Sequence, residues 1–255
     1  MPAGGHADCP ERVFGTSPPA MTSLSHDPFS LLSMREMQRQ VARAPLRPAV
    51  FIDKDGTLVE NPPHHDTDPR LLRFVPGAGE ALARLQAAGL ALVIVTNQSG
   101  LARGRFTRAE FARLQQVLLQ RLQEEFGVCI VGVEVCPHGP DSEGRPACLC
   151  RKPAPGMLIR AAQRHGLDLK RSWMVGDTLD DVEAGHRAGA GGLLLDSGAE
   201  TVWRRSPLRE PDERFFDWST LAGHVEERVG SPARTPSDYW MARPQSSYAS
   251  ALPAG

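Results

Sequence analysis

The feature that most constrains the fold is a series of short apolar runs separated by amphipathic segments. Residues 90–96 (LALVIVT) form a continuous apolar run, which is typical of a strand covered on both faces. Further strands are predicted at residues 49–53, 129–136, 172–177 and 191–196, and helices at 79–89, 107–127, 155–166 and 179–189. This alternation predicts an α/β fold, a Rossmann-like parallel sheet with helices on both faces.

The two ends of the chain differ from its middle. Residues 1–46 and 229–255 are rich in small residues and proline and lack sustained periodicity. We therefore predict a flexible N-terminal extension, a folded catalytic domain over residues 47–228, and a flexible C-terminal tail. Little sequence separates the first two predicted strands, and the later insertion is mainly one helix and a cysteine-rich loop, so no large cap domain is expected.

Composition argues against several classes of protein. The formal net charge of −1 does not favour broad binding to nucleic acid or to anionic membranes. No stretch is apolar and long enough to span a bilayer, and the N-terminal residues lack the pattern of a secretory signal. We expect a soluble, cytoplasmic monomer that binds a small molecule, with no nucleic acid or membrane as partner.

Polar side chains follow the predicted strands at the points where the strands end. Asp53 and Asp55 come after the first strand, Thr96 and Asn97 after the second, and Asp177 after a later one. Ligands bind beyond the carboxyl ends of the strands in sheets of this kind. These residues therefore mark the predicted site.

Residues 53–57 read DKDGT. In an extended chain, Asp53 and Asp55 point to one side and Lys54 to the other. With Asp177, the two carboxylates form an oxygen-rich site suited to Mg²⁺, which offsets their repulsion. One carboxylate can attack phosphorus to form an aspartyl-phosphate, and the second can transfer protons. A solvated Asp-x-Asp turn is the simpler alternative.

The remaining candidates also have ordinary structural explanations. Thr96 and Asn97 offer a hydroxyl and an amide to phosphate oxygens, but the same pair could cap a helix. Lys152 could neutralise charge on a transferring phosphoryl group or be plain surface charge. Asp177 and Asp181 could serve a metal or complement a helix dipole. The ordered set as a whole favours phosphoryl transfer.

This set resembles the haloacid dehalogenase (HAD) superfamily of phosphotransferases over residues 48–200. The resemblance implies the HAD fold, with Asp53 as nucleophile and Asp55 as general acid and base. It also implies that Thr96 and Lys152 hold the phosphoryl group. Mg²⁺ would be bound by Asp53, the main-chain carbonyl of Asp55, and Asp177.

Cys136, His138, Cys148 and Cys150 lie in one loop that is rich in Gly, Pro, Asp and Ser. Three thiolates and one imidazole complete a tetrahedral Zn²⁺ shell and leave no open position. A metal would also hold together a loop that cannot pack by itself. We therefore predict a small zinc-stapled loop, with metal-free reduced cysteines as the alternative.

Together with the segments FIDKDGT, VTNQSGLARGRFT and CRKPAPGM, this loop resembles the D-glycero-D-manno-heptose 1,7-bisphosphate 7-phosphatases, relatives of the histidinol-phosphate phosphatases. The resemblance implies that Arg151 helps to recognise substrate and that Asn97, Gln98 and Ser99 line the site. Thr178 departs from the family, which usually has Lys or Arg after the metal-binding Asp. The Pro- and His-rich loop at residues 61–68 is a second departure, and both bear on the substrate.

The expected function is Mg²⁺-dependent hydrolysis of a phosphomonoester through an aspartyl-phosphate. The leading hypothesis is removal of the 7-phosphate from D-glycero-D-manno-heptose 1,7-bisphosphate, in carbohydrate metabolism. Histidinol phosphate or another small metabolite is the alternative substrate. A catalytically idle, zinc-stapled binding module is the alternative from another class, and the intact set Asp53, Asp55, Lys152 and Asp177 argues against it.

Overall fold

The computed structural model describes residues 45–61 and 67–230. Its strands are β1 (Ala49–Ile52), β2 (Ala91–Asn97), β3 (Gly132–Cys136), β4 (Trp173–Gly176), β5 (Gly191–Leu195) and β6 (Glu213–Phe215). They form one sheet in the order β3-β2-β1-β4-β5-β6, and every neighbouring pair is parallel. The predicted α/β fold with a parallel sheet is confirmed.

Helices cover both faces of this sheet, as predicted. They are α1 (Ala78–Ala87), α2 (Ser99–Ala102), α3 (Arg108–Phe126), α4 (Gly156–His165), α5 (Leu179–Ala188) and α6 (Trp218–Glu226). Side chains alternate along a strand, so Val50 and Ile52 pack with α1, α3 and α6 on one face. Phe51 packs on the other face, with residues of α4 and α5.

The long helix α3 is well specified by its ends. The hydroxyl of Thr107 accepts a hydrogen bond from the Glu110 backbone N–H, and the Glu110 carboxylate accepts one from the Thr107 backbone N–H. This capping box satisfies two N–H groups that the helix itself leaves unpaired. Gly127 ends the helix with a positive φ of 68°, which glycine adopts without a steric penalty.

The strand predicted at residues 129–136 begins only at Gly132. The backbone N–H of Cys129 donates to the side-chain oxygen of Gln86 in α1 at 2.6 Å, so the first residue of the segment bonds to a helix side chain rather than to β2. Pairing with β2 then runs from Gly132 to Cys136.

Neither β6 nor α6 is predicted from the sequence. Strand β6 has three residues, of which two are exposed, and it therefore shows no apolar run. Helix α6 does carry a signal, because its buried residues Trp218, Leu221, Ala222 and Val225 recur at helical spacing. Asp217 caps this helix by accepting a hydrogen bond from the Thr220 backbone N–H at 2.9 Å.

Between β1 and β2, the described residues form a turn, one 3₁₀ turn at Pro69–Leu71, and α1. No separate cap is built from this part of the described chain, in line with the prediction. The predicted extension 1–46 and tail 229–255 lie almost entirely outside the described residues, as do residues 62–66 of the Pro- and His-rich loop. Of the helices that are described, none combines the length and apolar character needed to cross a membrane.

We predict that Trp218→Ala lowers the free energy of unfolding by about 3 to 5 kcal/mol. The side chain of Trp218 is 1 % exposed, and its indole N–H donates to the main-chain oxygen of Thr57 at 2.9 Å, so the change removes both packing and a hydrogen bond. The measurement is urea unfolding followed by circular dichroism. Trp203→Ala, at an aromatic residue that is 37 % exposed, is the control and should change stability much less. Equal losses would mean that α6 is not part of the core.

Candidate active site

The predicted site residues meet at one edge of the sheet. Asp53 follows β1, Thr96 and Asn97 end β2, and Asp177 follows β4. Strand β1 lies between β2 and β4, so the chain order reverses direction at this point. Such a reversal opens a crevice at the carboxyl ends of the strands, which is where ligands bind in α/β sheets.

The segment after β1 is a tight turn rather than an extended chain. The main-chain oxygen of Lys54 accepts hydrogen bonds from the N–H groups of Leu58 and Val59, at 3.0 and 2.9 Å. The alternation expected for DKDGT therefore does not apply, and the prediction that Lys54 faces away from the acidic pair is wrong. Its ammonium group forms an ion pair with the carboxylate of Asp55.

Gly56 is required by the geometry of this turn. Its φ is +87°, and a Cβ at this position would lie 2.0 Å from a carboxylate oxygen of Asp177. Any side chain here would displace that carboxylate, and the backbone would also be strained. The glycine thus allows the β1 turn and the β4 carboxylate to approach each other.

Three buried carboxylates form the centre of the site. Oxygens of Asp53, Asp177 and Asp181 all lie within 4.8 Å of one another, and these residues are only 2 to 7 % exposed. The sequence predicts a more distant role for Asp181, but α5 brings it into this group. The Asp55 side chain is outside the group, and the metal contact proposed for its main-chain carbonyl stays a prediction.

Lys152 lies inside this acidic cluster. Its ammonium group forms an ion pair with Asp53 and a second one with Asp181 at 2.6 Å, and it donates a hydrogen bond to the main-chain oxygen of Val95 at 3.0 Å. Burial alone would lower the pKa of Lys152, but the two carboxylates outweigh burial and raise it above its ordinary value. Lys152 is therefore a fixed positive charge next to the predicted nucleophile.

Without a bound cation, burial and the neighbouring carboxylates disfavour the ionised forms of Asp53 and Asp177. Burial raises the pKa of Asp53 to about 8; Lys152 opposes this shift, and Asp181 and Asp177 add to it. Burial likewise raises the pKa of Asp177 to about 7, with a further contribution from Asp181. Both shifts start from an ordinary value of 3.8.

A divalent cation fits this arrangement. With Asp55, the site has four carboxylates facing the ammonium groups of Lys54 and Lys152, an excess of two negative charges when all are ionised. Hard oxygen ligands in a small cluster are what Mg²⁺ binds in proteins. The residues that would hold it are Asp53 and Asp177, with Asp181 close by.

The two residues after Thr96, Asn97 and Gln98, form hydrogen bonds to other residues of the site. Asn97 clamps the backbone of Lys152, accepting from its N–H at 3.1 Å and donating to its main-chain oxygen at 3.2 Å. The side-chain amide of Gln98 donates to Thr96 at 2.9 Å and to Asp55 at 2.7 Å. Asn97 and Gln98 thus hold predicted catalytic groups in place, while Ser99 is half-buried at the start of α2.

The four predicted zinc ligands also come together. The sulfur atoms of Cys136, Cys148 and Cys150 are 3.3 to 3.6 Å apart, and Nδ1 of His138 lies 3.3 and 3.7 Å from two of them. A tetrahedral ion with Zn–S bonds of about 2.3 Å separates its sulfur ligands by roughly 3.8 Å, close to this spacing. The donor set and geometry fit a tetrahedral metal site.

The thiols of this cluster have different electrostatic surroundings. Burial raises the pKa of Cys136 to about 12. Despite partial burial, hydrogen bonds lower the pKa of Cys148 to about 7, including one donated by the Arg151 backbone N–H at 3.3 Å. Arg151 also donates from its guanidinium to the main-chain oxygen of His138 at 3.2 Å. The cysteine loop therefore fixes the segment that carries Arg151 and Lys152.

A concave surface that encloses a volume of about 530 Å³ lies beside the cysteine loop. Its walls come from the turn between α2 and α3 and from the start of the cysteine loop, and they include Arg105, Arg108 and His138. Neither arginine stands out in the sequence, because neither follows a strand or belongs to a metal-ligand pattern.

Comparisons with known proteins agree with this geometry. A HAD-hydrolase-like family model matches residues 149–217. The D-glycero-β-D-manno-heptose-1,7-bisphosphate 7-phosphatase of Escherichia coli K12 is 39% identical over 175 residues, covering 67% of this chain and 87% of that protein. The enzyme of the same name from Rhodopseudomonas palustris is 42% identical over 172 residues, covering 66% and 94%.

The chain belongs to this family of HAD phosphatases. A solved structure of D,D-heptose 1,7-bisphosphate phosphatase from B. bronchiseptica, complexed with magnesium and phosphate, superposes with a TM-score of 0.62 at 31% identity. The match covers 71% of this chain and 98% of that one. The HAD phosphatase resemblance and the enzyme class predicted from the sequence are thus confirmed, and the binding module is not supported as the protein's class.

We predict that Mg²⁺ stabilises this phosphatase more at pH 8 than at pH 5. The pKa values of Asp53 and Asp177 are higher in the folded chain than the ordinary value of 3.8, so protonation of these groups stabilises the fold. This stabilisation is complete below pH 3.8 and is lost as the pH rises to about 7 to 8. Mg²⁺ binds the ionised form and restores stability there. At 100 times its Kd the gain is about 2.7 kcal/mol, which is a Tm rise of roughly 5 to 10 °C.

Thermal melts with Mg²⁺ and with EDTA, from pH 5 to 8, measure this effect. Asp177→Asn is the control, because it removes one carboxylate and should reduce the Mg²⁺-dependent shift. A shift that is the same at pH 5 and pH 8 in the wild type would contradict the prediction.

Proposed function

We propose that the chain removes the 7-phosphate of D-glycero-D-manno-heptose 1,7-bisphosphate in a Mg²⁺-dependent hydrolysis. The observation that carries the proposal is the buried pairing of Asp53 with Lys152 inside a cluster of further carboxylates. The family relationship supports the substrate, since the relatives that match this chain are named for that reaction.

In the first step, an oxygen of Asp53 forms a bond to phosphorus as the bond from phosphorus to the substrate oxygen breaks. Asp55 gives its proton to the departing oxygen and becomes a carboxylate. In the second step, Asp55 takes a proton from water, and that water oxygen displaces Asp53 from phosphorus. Lys152 and Thr96 bind the phosphoryl oxygens, and bound Mg²⁺ supplies further charge neutralisation.

We place the rest of the substrate at the concave surface beside the cysteine loop. Arg105 and Arg108 on its wall, with Arg151 on the adjacent segment, supply positive charge for a substrate that carries a second phosphate. Thr178 has a neutral side chain and supplies no such charge, and its hydroxyl and backbone N–H both donate to Asp181. We therefore assign recognition of the distal part of the substrate to these arginines.

We also propose that the cluster Cys136, His138, Cys148 and Cys150 binds structural Zn²⁺. Four protein ligands fill a tetrahedral shell, so the ion has no open position for chemistry. Its role is to hold the loop that carries Arg151 and Lys152.

We predict that Asp53→Asn lowers phosphate release from the heptose bisphosphate by at least about 10⁴-fold while the thermal melt stays within a few degrees of wild type. An amide cannot replace the carboxylate as nucleophile. Wild type should prefer the heptose bisphosphate over histidinol phosphate by kcat/KM. A preference for histidinol phosphate would reject the substrate but keep the mechanism, and substantial turnover by Asp53→Asn would reject the mechanism.

We predict that Cys148→Ser reduces bound zinc from about one per chain to near zero and lowers the Tm, because one of four ligands is lost. Metal content is measured by mass spectrometry on protein purified without chelators. Leu149→Ser is the matched control, since this neighbouring residue is 87 % exposed and contributes no ligand. Zinc-free wild type, or equal zinc in both variants, would be evidence against a zinc site.

A further inference from the structure

Lys54 is buried, although the ammonium group of a lysine is strongly hydrated in water. Its side chain is 6 % exposed, and its ammonium group forms an ion pair with Oδ1 of Asp55, whose side chain is 30 % exposed. Burying an ammonium group is costly unless it is paired and hydrogen-bonded. The position of Lys54 is therefore tied to that of Asp55.

The second oxygen of Asp55 is held from another strand. Oδ2 accepts a hydrogen bond from the side-chain amide of Gln98 at 2.7 Å. Gln98 is fixed in turn by its bond to Thr96 and by its backbone N–H, which donates to the main-chain oxygen of Cys136 at 2.8 Å. Lys54, in the turn after β1, and Gln98, directly after β2, thus each contact one oxygen of the same carboxylate.

The turn itself determines where Lys54 points. Its main-chain oxygen is bonded to two N–H groups, and Gly56 N–H donates to the main-chain oxygen of Val59 at 2.7 Å. These bonds fix the backbone of residues 54–59. Lys54 and Asp55 then share the wall of a small hollow with the buried residues Leu72 and Leu114.

We propose that Lys54 is a positioning residue that orients the carboxyl group of Asp55 for proton transfer to the departing oxygen. This inference rests on the proposed function, in which Asp55 is the general acid. Each oxygen of Asp55 has a further lone-pair direction, where the proton of the neutral acid can sit facing the substrate, so the contacts with Lys54 and Gln98 fix the orientation without occupying that position. Without Lys54, the carboxyl group can rotate, and a misplacement of about 1 Å can lower a rate by about 10²-fold.

The test exploits the dependence of general acid catalysis on the leaving group. A poor leaving group such as phenolate needs the proton from Asp55, whereas 2,4-dinitrophenolate departs readily without it. The quantity measured is kcat/KM with Mg²⁺, which reports the steps up to the first phosphoryl transfer. Phenyl phosphate and 2,4-dinitrophenyl phosphate are the probes, so the result does not depend on the identity of the sugar substrate.

For Lys54→Met we expect a loss of about 10- to 100-fold on phenyl phosphate and of less than about threefold on 2,4-dinitrophenyl phosphate. Lys54→Arg, which keeps the charge, should recover most of the loss. Lys170→Met is the matched control at an exposed lysine and should leave both rates unchanged. Should Lys54→Met fail to fold, Lys54→Gln makes the same comparison.

A double variant separates positioning of Asp55 from other effects. On an Asp55→Asn background, Lys54→Met should cause no further loss on phenyl phosphate, because the group it positions is already gone. Equal losses on both probes, or additive losses in the double variant, would overturn the inference. If Asp55→Asn lowers kcat/KM by the same factor on both probes, Asp55 is not the general acid, and the proposed role of Lys54 is rejected with it.

Discussion

The structure depends on the crowding of negative charge at one edge of a parallel sheet. Asp53, Asp177 and Asp181 are brought within 4.8 Å of one another by two strand ends and one helix start. Such a cluster is unfavourable in the absence of cations, as the raised pKa values of Asp53 and Asp177 indicate. Lys152 offsets part of this charge, and the remaining excess makes the site select for a doubly charged ion.

Much of the fold and site follows from local sequence patterns. Short apolar runs identified five strands. The polar residues that follow these runs, Asp53, Asp55, Thr96 and Asp177, marked the predicted site, because parallel strands end at one edge. The thiol and imidazole spacing identified the cluster of Cys136, His138, Cys148 and Cys150. These signals are short-range, and each can be read without knowing the rest of the structure.

Other features could not be predicted because they depend on the packed structure. The direction of Lys54 is set by hydrogen bonds from Leu58 and Val59, which convert an expected extended segment into a turn. The bond from Gln98 to Asp55 joins two strand ends that are 43 residues apart. Strand β6 lacks an apolar run altogether, and only its pairing with β5 defines it.

The hydrogen bond between Trp218 and Thr57 links nearly the whole described chain, since 161 residues separate the two. The indole supports the same turn that follows Asp53, yet it belongs to the last helix described. During synthesis, that turn lacks its support until α6 has left the ribosome. An early turn of the chain thus depends on its last described helix for this hydrogen bond.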